Sequence, residues 1–148
     1  SVMLTFGLAL GSLGYKQQIL ASSATESQYA FYAADAALEC ALYADQQLNF
    51  FAYSDYDGQL KYMSCGGIYM IPVSQTPPSV SQLVSRARIS LDSDTRCADI
   101  TVYKPPPDAG TIYIFSQGYD VPCATVMDAE ANPTKAIRFV SRGLEMHY

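Results

Sequence analysis

The stretch that decides the fold is FYAADAALECALY, residues 31–43. Alanine and leucine dominate it, and it contains neither glycine nor proline, so it strongly favours an α-helix. Apolar residues recur here at steps of three and four, which is the pattern of a helix that packs one side on a domain. The residues of this packing stripe are Ala30, Phe31, Ala34, Leu38, Ala41 and Leu42.

The helical pattern extends well beyond this stretch. Residues 16–47 contain neither proline nor glycine, and residues 2–15 carry no charge. We therefore expect one continuous helix from near residue 1 to about residue 48. Such a helix is roughly 70 Å long, which is more than a sheet of about 100 residues can cover. Its N-terminal part is apolar all round, so we expect it to be buried in lipid or among other helices.

The remainder of the chain changes to the period of β-strands. Residues 87–91 and 98–103 alternate between apolar and polar, which predicts a sheet with one solvent-exposed face. Residues 111–115 alternate poorly and are expected to be largely buried. The predicted fold class is α+β, with a long N-terminal helix packed on a C-terminal antiparallel sheet. The predicted strands lie at 66–73, 84–92, 97–104, 110–120 and 136–148, and the breaks at 75–79, 104–110 and 128–133.

Charge and cysteine content limit the classes of function. The formal net charge is −5 and no basic cluster is present, so nucleic acid is not expected as the main partner. The four cysteines form no CxxC motif and only one histidine is present, so no metal site is expected. Cysteines this far apart favour two disulfides in an oxidising compartment, and three pairings remain open. The cysteines are Cys40, Cys65, Cys97 and Cys123.

Known catalytic patterns are not found in the sequence. His147 lies in the predicted last strand without a serine or cysteine partner in a recognised context. The acidic stretch DSDTRCAD (92–99) lacks the glycine and the closing glutamate of an EF-hand loop. The pair Gly66-Gly67 precedes a strand rather than a helix, so it is no phosphate loop. We therefore expect a protein that is not an enzyme and that carries no cofactor.

These features together resemble the type IV pilin family. ESQYAFYAADAALECALY (26–43) is similar to the segment of PilX-like pilins in which Gln or Arg precedes an AF-x-AA-E/D-A-x-L-E motif. ECALY and the closing SRGLEMHY (141–148) resemble pilin-like proteins of candidate-phylum bacteria. The resemblance covers residues 1–45 and, less closely, 136–148. Mature pilins usually begin with Phe or Met and carry Glu at position five, where this chain has Ser1 and Thr5, so no prepilin peptidase site is assigned.

The resemblance implies a division of the chain near residue 28. Residues 1–28 would be a projecting apolar half-helix, which serves as membrane anchor and filament core, and residues 29–148 a globular pilin domain. We expect the disulfides Cys40–Cys65 and Cys97–Cys123, because pairs that are close in sequence form readily. The residues of the filament-core helix are Val2, Met3, Leu4, Phe6, Leu8, Leu10 and Leu13.

The function that the resemblance implies is that of a structural subunit of an extracellular type IV pilus, used for attachment, twitching motility or DNA uptake. Its partners would be identical subunits in a helical filament, the inner membrane before assembly, and the pilus assembly machinery. Two alternatives remain open. One is a pseudopilin or a low-copy priming pilin of a secretion or pilus machine, and the other is a membrane-anchored binding domain that does not polymerise.

Overall fold

The computed structural model describes the backbone of residues 2–78 and 81–148 and the side chains of residues 24–78 and 81–148. Within these residues, a long helix is followed by six strands that form one antiparallel sheet in the order β1-β2-β3-β4-β5-β6. The predicted α+β class is therefore confirmed. The elements are α1 (Val2–Gln46), β1 (Lys61–Cys65), β2 (Ile68–Gln75), β3 (Leu83–Leu91), β4 (Arg96–Lys104), β5 (Tyr113–Tyr119), α2 (Cys123–Ala131) and β6 (Ser141–His147).

Helix α1 packs on strands β4, β5 and β6 at very short range. The sheet offers small residues there: Ser116 donates a hydrogen bond of 2.7 Å to the backbone oxygen of Ala34, and a Cβ atom on Gly118 would lie 2.0 Å from the backbone oxygen of Ala30. The backbones of helix and strand are thus nearly in contact. The core beneath comprises Phe51, Met63, Val73, Leu83, Ile89, Ile100, Val102 and Ile114.

The long helix is confirmed, with its end at Gln46, two residues before the predicted end. The chain turns away from the helix at Asn49, whose φ of 49° is the left-handed conformation that asparagine tolerates. Strands β3 and β4 confirm the two best alternating segments, with buried positions on the side that faces α1.

Four expectations about the sheet were wrong or incomplete. Strand β1 was not predicted, because it follows a turn-rich segment directly. Helix α2 was not predicted, and only its last residues, 128–131, fall within a predicted break. The last strand begins at Ser141 rather than at residue 136. Residues 111–115 are not largely buried: Tyr113 and Phe115 are 40% and 39% exposed, and the buried positions of β5 are Ile114, Ser116 and Gly118.

Candidate functional site

The distinctive surface of this protein is the side of α1 that faces away from the sheet. The side that faces the sheet is mostly alanine, and Ala30, Ala34, Ala37 and Ala41 are fully buried. The opposite side carries aromatic rings with high exposure. We call this set the outer helix surface; it comprises Tyr29 (43% exposed), Phe31 (39%), Tyr32 (61%), Ala36 and Tyr43 (56%).

Four of these residues, Tyr29, Tyr32, Ala36 and Tyr43, lie on one helix face, and Phe31 lies at its side. Tyr32, Ala36 and Tyr43 are four and seven residues apart, so they share one helix face. Glu39 is the exposed charged residue between them. An ordinary surface helix turns its large apolar residues inward and its charges outward. In the C-terminal half of α1 this arrangement is partly reversed, because the inner side is mostly alanine and the outer side exposes tyrosine rings.

Phe31 was predicted to lie on the stripe that packs on the sheet, and this was wrong. Its neighbours Ala30 and Ala34 lie against the β5 backbone, and no ring fits in so narrow a gap. Phe31 therefore lies to the side and meets Tyr32 edge-on, with 6.0 Å between ring centroids. Of the other five residues of the predicted stripe, Ala30, Ala34, Leu38 and Ala41 are buried and Leu42 is half-buried.

Tyr29, Tyr32 and Tyr43 were not singled out from the sequence. The available signal was the absence of Lys, Arg and Gln from the positions just beside the alanine stripe.

Tyr29 is held in place by Arg96, whose guanidinium lies 4.0 Å from the centre of the tyrosine ring. Arg96 also forms an ion pair with Asp92 in the turn between β3 and β4. This cation–π contact fixes one end of the outer helix surface against the sheet domain.

A groove of about 420 Å³ borders the outer helix surface between α1 and the β1–β2 hairpin. Ala36 and Tyr43 line it on the helix side, and Gly66 and Ile68 on the hairpin side. The next two hairpin residues, Tyr69 and Met70, are 75% and 66% exposed. The hairpin therefore exposes large side chains next to the residues that line the groove.

The cysteines lie where they fix the elements around this surface. Cys40 of α1 and Cys65 of β1 are a disulfide pair with 5.6 Å between Cα atoms, and they lie at the groove. Cys97 of β4 and Cys123 of α2 are a second pair with 4.8 Å between Cα atoms. Both expected pairs are thus at disulfide distance. The first ties the hairpin to the helix, and the second ties α2 to the far side of the sheet.

Ion pairs complete the fixation of α2. Arg88 donates two hydrogen bonds to Asp99, of 2.6 and 2.8 Å, and two to Glu130 of α2, of 2.7 and 3.0 Å. This arrangement raises the pKa of Arg88 and lowers that of Glu130. Tyr119 also donates to Asp99, at 3.1 Å; burial, and then the charge of Asp99, raises its pKa to about 12.

A second buried cluster anchors the C-terminal end of α1. The carboxylate of Asp45 is almost fully buried and accepts hydrogen bonds from Lys104 of β4 and from the hydroxyl of Tyr148. Burial, and then the bond to Asp45, raises the pKa of Tyr148 well above its usual value. Every polar group of this cluster has a partner inside the fold, so its role is to hold the helix end to the sheet.

Other expected site features fall outside these contacts. The filament-core residues Val2, Met3, Leu4, Phe6, Leu8, Leu10 and Leu13 lie outside the described side chains. In the described part of the chain, no three His, Cys, Asp or Glu residues are grouped so that they could hold a metal ion. Among the described residues, no helix is long and apolar enough to cross a membrane.

Comparison with protein-family models, with curated proteins and with solved structures finds no match for this chain.

Proposed function

We propose that this chain is a structural subunit of an extracellular type IV pilus and that it polymerises through its N-terminal helix. The observation that carries the proposal is the outer helix surface, which exposes aromatic rings on the side of α1 that its own sheet leaves uncovered. Identical subunits are the partner that would cover it. The two disulfide pairs support an oxidising, extracellular setting.

The length of α1 supports the same proposal. Within the described side chains, full burial begins at Ala30, and residues 24–29 are exposed or half-buried. The helix has by then run for about 28 residues, or roughly 40 Å at 1.5 Å per residue. We propose that this part of the helix projects from the domain, where it can meet the helices of neighbouring subunits. Before assembly, we propose, the uncharged segment 2–15 resides in the inner membrane.

The outer helix surface can supply substantial association energy. An aromatic side chain buries about 150–250 Å², so a ring that is half exposed leaves roughly 100 Å² for a partner to cover. At about 25 cal/mol per Å² this corresponds to about 2.5 kcal/mol per ring. Four rings supply about 10 kcal/mol before the entropic costs of association. A helix-to-helix contact repeated without closing on itself gives a helical filament.

A paired substitution tests the proposal in cells that make the filament. The double variant Tyr32→Asp, Tyr43→Asp places two charges on the outer helix surface and should abolish filaments in sheared surface preparations viewed by electron microscopy. The matched control is Tyr62→Asp, which changes a similarly exposed tyrosine (48%) on β1. The control should assemble normally, and all variants should unfold at about the same temperature. Normal filaments from the double variant would refute the proposal.

The same preparations separate the alternatives. A major pilin dominates a sheared-filament preparation, whereas a pseudopilin or a priming pilin is a minor component. A membrane-anchored domain that never polymerises is not found in sheared material. Quantitative mass spectrometry of sheared filaments, with the membrane fraction as reference, therefore distinguishes these three roles.

A further inference from the structure

The side of the sheet opposite α1 presents a row of chemically varied side chains. Strand register places one residue of each strand from β2 to β6 side by side, and each faces away from α1. The row spans four strand spacings, or about 19 Å at about 4.8 Å each. We call it the outer sheet row; in strand order it comprises Ser74, Arg86, Thr101, Phe115 and Glu145.

The outer sheet row lies along two shallow depressions that meet in the middle of the sheet. One has a volume of about 300 Å³ and is lined by Phe115, Gln117 and Glu145 among others. The second, of about 450 Å³, is lined by Ser74 and Arg86 among others. Both include Asp99 and Thr101, so a single elongated ligand can occupy them together. Helix α2 covers the outer side of the sheet from Cys97, its disulfide partner, to Arg88, which binds Glu130, and Arg86 beyond it is exposed.

Arg86 supplies an available positive charge at one end of the row. It is exposed, and within the described part of the chain it has no ion-pair or side-chain hydrogen-bond partner. Its neighbour Arg88 differs, because Asp99 and Glu130 occupy its guanidinium. In a protein of net charge −5, a free guanidinium favours an anionic group. Its planar shape matches a carboxylate through two parallel hydrogen bonds.

Phe115 supplies a fixed aromatic platform in the same row. It is 39% exposed. Tyr103 meets it edge-on with 5.6 Å between centroids, and Tyr113 is stacked beside it at 6.4 Å and 13° between ring planes. Two aromatic neighbours restrict the ring, so little side-chain entropy is lost when a ligand covers it.

The position on the sheet face selects the kind of ligand. A peptide that adds to a sheet needs a free strand edge, here β1 or β6, because the strands within the sheet use their backbone groups in the ladder. A ligand lying across the row meets side chains only. Hydroxyl groups of Ser74 and Thr101, the amide of Gln117 and the carboxylate of Glu145 are suited to the hydroxyl groups of a sugar.

We propose that the outer sheet row binds an acidic oligosaccharide, whose carboxylate pairs with Arg86 and one of whose sugar rings lies on Phe115. The carboxylate of Glu145 repels a second acid at the opposite end, so the preferred ligand carries a single acidic sugar. This site lies on the face opposite α1 and does not depend on the pilus proposal.

Binding to the full chain, kept in solution with a sugar-free zwitterionic detergent, tests this proposal. Two matched probe pairs are used: sialyllactose with lactose, and xylotriose carrying one glucuronic acid with xylotetraose. Isothermal titration calorimetry gives affinities, and amide chemical-shift changes locate the site. At least one acidic probe should bind, with shifts in β3, β4 and β5, and its neutral counterpart should bind at least about ten-fold more weakly, which equals about 1.4 kcal/mol.

Surface variants identify the roles of the two main residues. Arg86→Gln should lower the affinity for the acidic probe by about the same ten-fold and leave the affinity for the neutral probe unchanged. Phe115→Ala should lower the affinity for both probes. Arg138→Gln is the control, since Arg138 is exposed and lies outside the row. The proposal is overturned if neither acidic probe binds at millimolar concentration, or if Arg86→Gln binds like the unmodified chain. Displacement by inorganic phosphate at equal affinity would also overturn it, because the site would then be a simple anion site.

Discussion

The close approach between α1 and β5 makes Gly118 the most sensitive position of the helix–sheet contact. A Cβ atom there would lie 2.0 Å from the backbone oxygen of Ala30 and 2.4 Å from the backbone nitrogen of Ala34. Real contacts of a Cβ essentially never fall below 3.0 Å, so Gly118→Ala forces helix and strand apart by about 1 Å. The atoms that must give way belong to two backbones, and no side-chain rotation relieves the clash.

The magnitude follows from this gap. A separation of 0.5–1 Å forfeits about a quarter to a half of the dispersion energy along the contact, and overpacked cores lose about 1–3 kcal/mol. We expect Gly118→Ala to cost about 3 kcal/mol. At roughly 3 °C per kcal/mol for a domain of this size, the unfolding midpoint falls by about 10 °C. Without a clash, alanine in a strand would stabilise by about 0.5–1 kcal/mol relative to glycine, so the sign of the change is itself informative.

The assay is thermal unfolding followed by circular dichroism with both disulfides intact. Gly143→Ala serves as the control, because a Cβ there meets the end of the Gln117 side chain at 3.0 Å, and this side chain can move. The control should change the midpoint by less than about 3 °C, or about 1 kcal/mol. A Gly118→Ala protein that is as stable as the unmodified chain would refute the near-contact of helix and strand.

Four further predictions concern the disulfides, the buried charges, the pH response and the anchor. Treatment with a mild reductant, followed by alkylation and peptide mapping, should label Cys40 and Cys65 first. This pair lies at an open groove, whereas the second pair includes the fully buried Cys97. Peptides that link Cys40 to Cys97 or to Cys123 would contradict the pairing. Asp45→Asn should lower the free energy of unfolding, measured in urea, by about 3 kcal/mol, because it leaves the largely buried Lys104 without its carboxylate partner. An unchanged urea midpoint would contradict this. The pKa of Tyr119 is about 12 in the folded state and 10 in the free side chain, so between these pH values the native state keeps a proton that the unfolded state loses. The contribution of Tyr119 to stability is therefore complete below pH 10 and falls between pH 10 and 12. The urea midpoint of Tyr119→Phe should fall less over that range than the midpoint of the unmodified chain. Leu8→Asp places a charge in the proposed filament core or bilayer at a cost of several kcal/mol, so this variant should not assemble. Normal filaments from it would contradict the proposed role of residues 2–15 as anchor and filament core.

The sequence was informative where a regular pattern and the local propensity agreed. The long helix was predictable because 32 consecutive residues, 16–47, lack both glycine and proline, and β3 and β4 were predictable from alternation. Helix α2 was not predictable, because it is short and its start is tied to the sheet by Cys123. The bond from Arg88 to Glu130 that holds it connects residues 42 positions apart, and such a contact leaves no local signal.

The individual residues of the candidate surface were not assigned from the sequence, for a related reason. Sequence patterns assign large apolar residues to the interior, and this rule fails for both β5 and α1. At Ser116 and Gly118 the two backbones lie so close together that alanine, serine and glycine occupy the contact, and Leu38 and Ile114 are buried beside it. The rings of Phe31 and Tyr32 on the helix and of Tyr113 and Phe115 on the strand are exposed instead.

The reversed pattern has a consequence for function. A close helix–strand contact buries little apolar area per residue, because small side chains have little to bury. The two disulfide pairs and the buried ion pair of Asp45 help to stabilise a contact that would otherwise be weak. The rings that this contact excludes are displayed on two opposite faces, the outer helix surface and the outer sheet row. Small residues between helix and strand thus accompany exposed aromatic rings on two faces, one of which we propose is covered by identical subunits and the other of which we propose binds an external ligand.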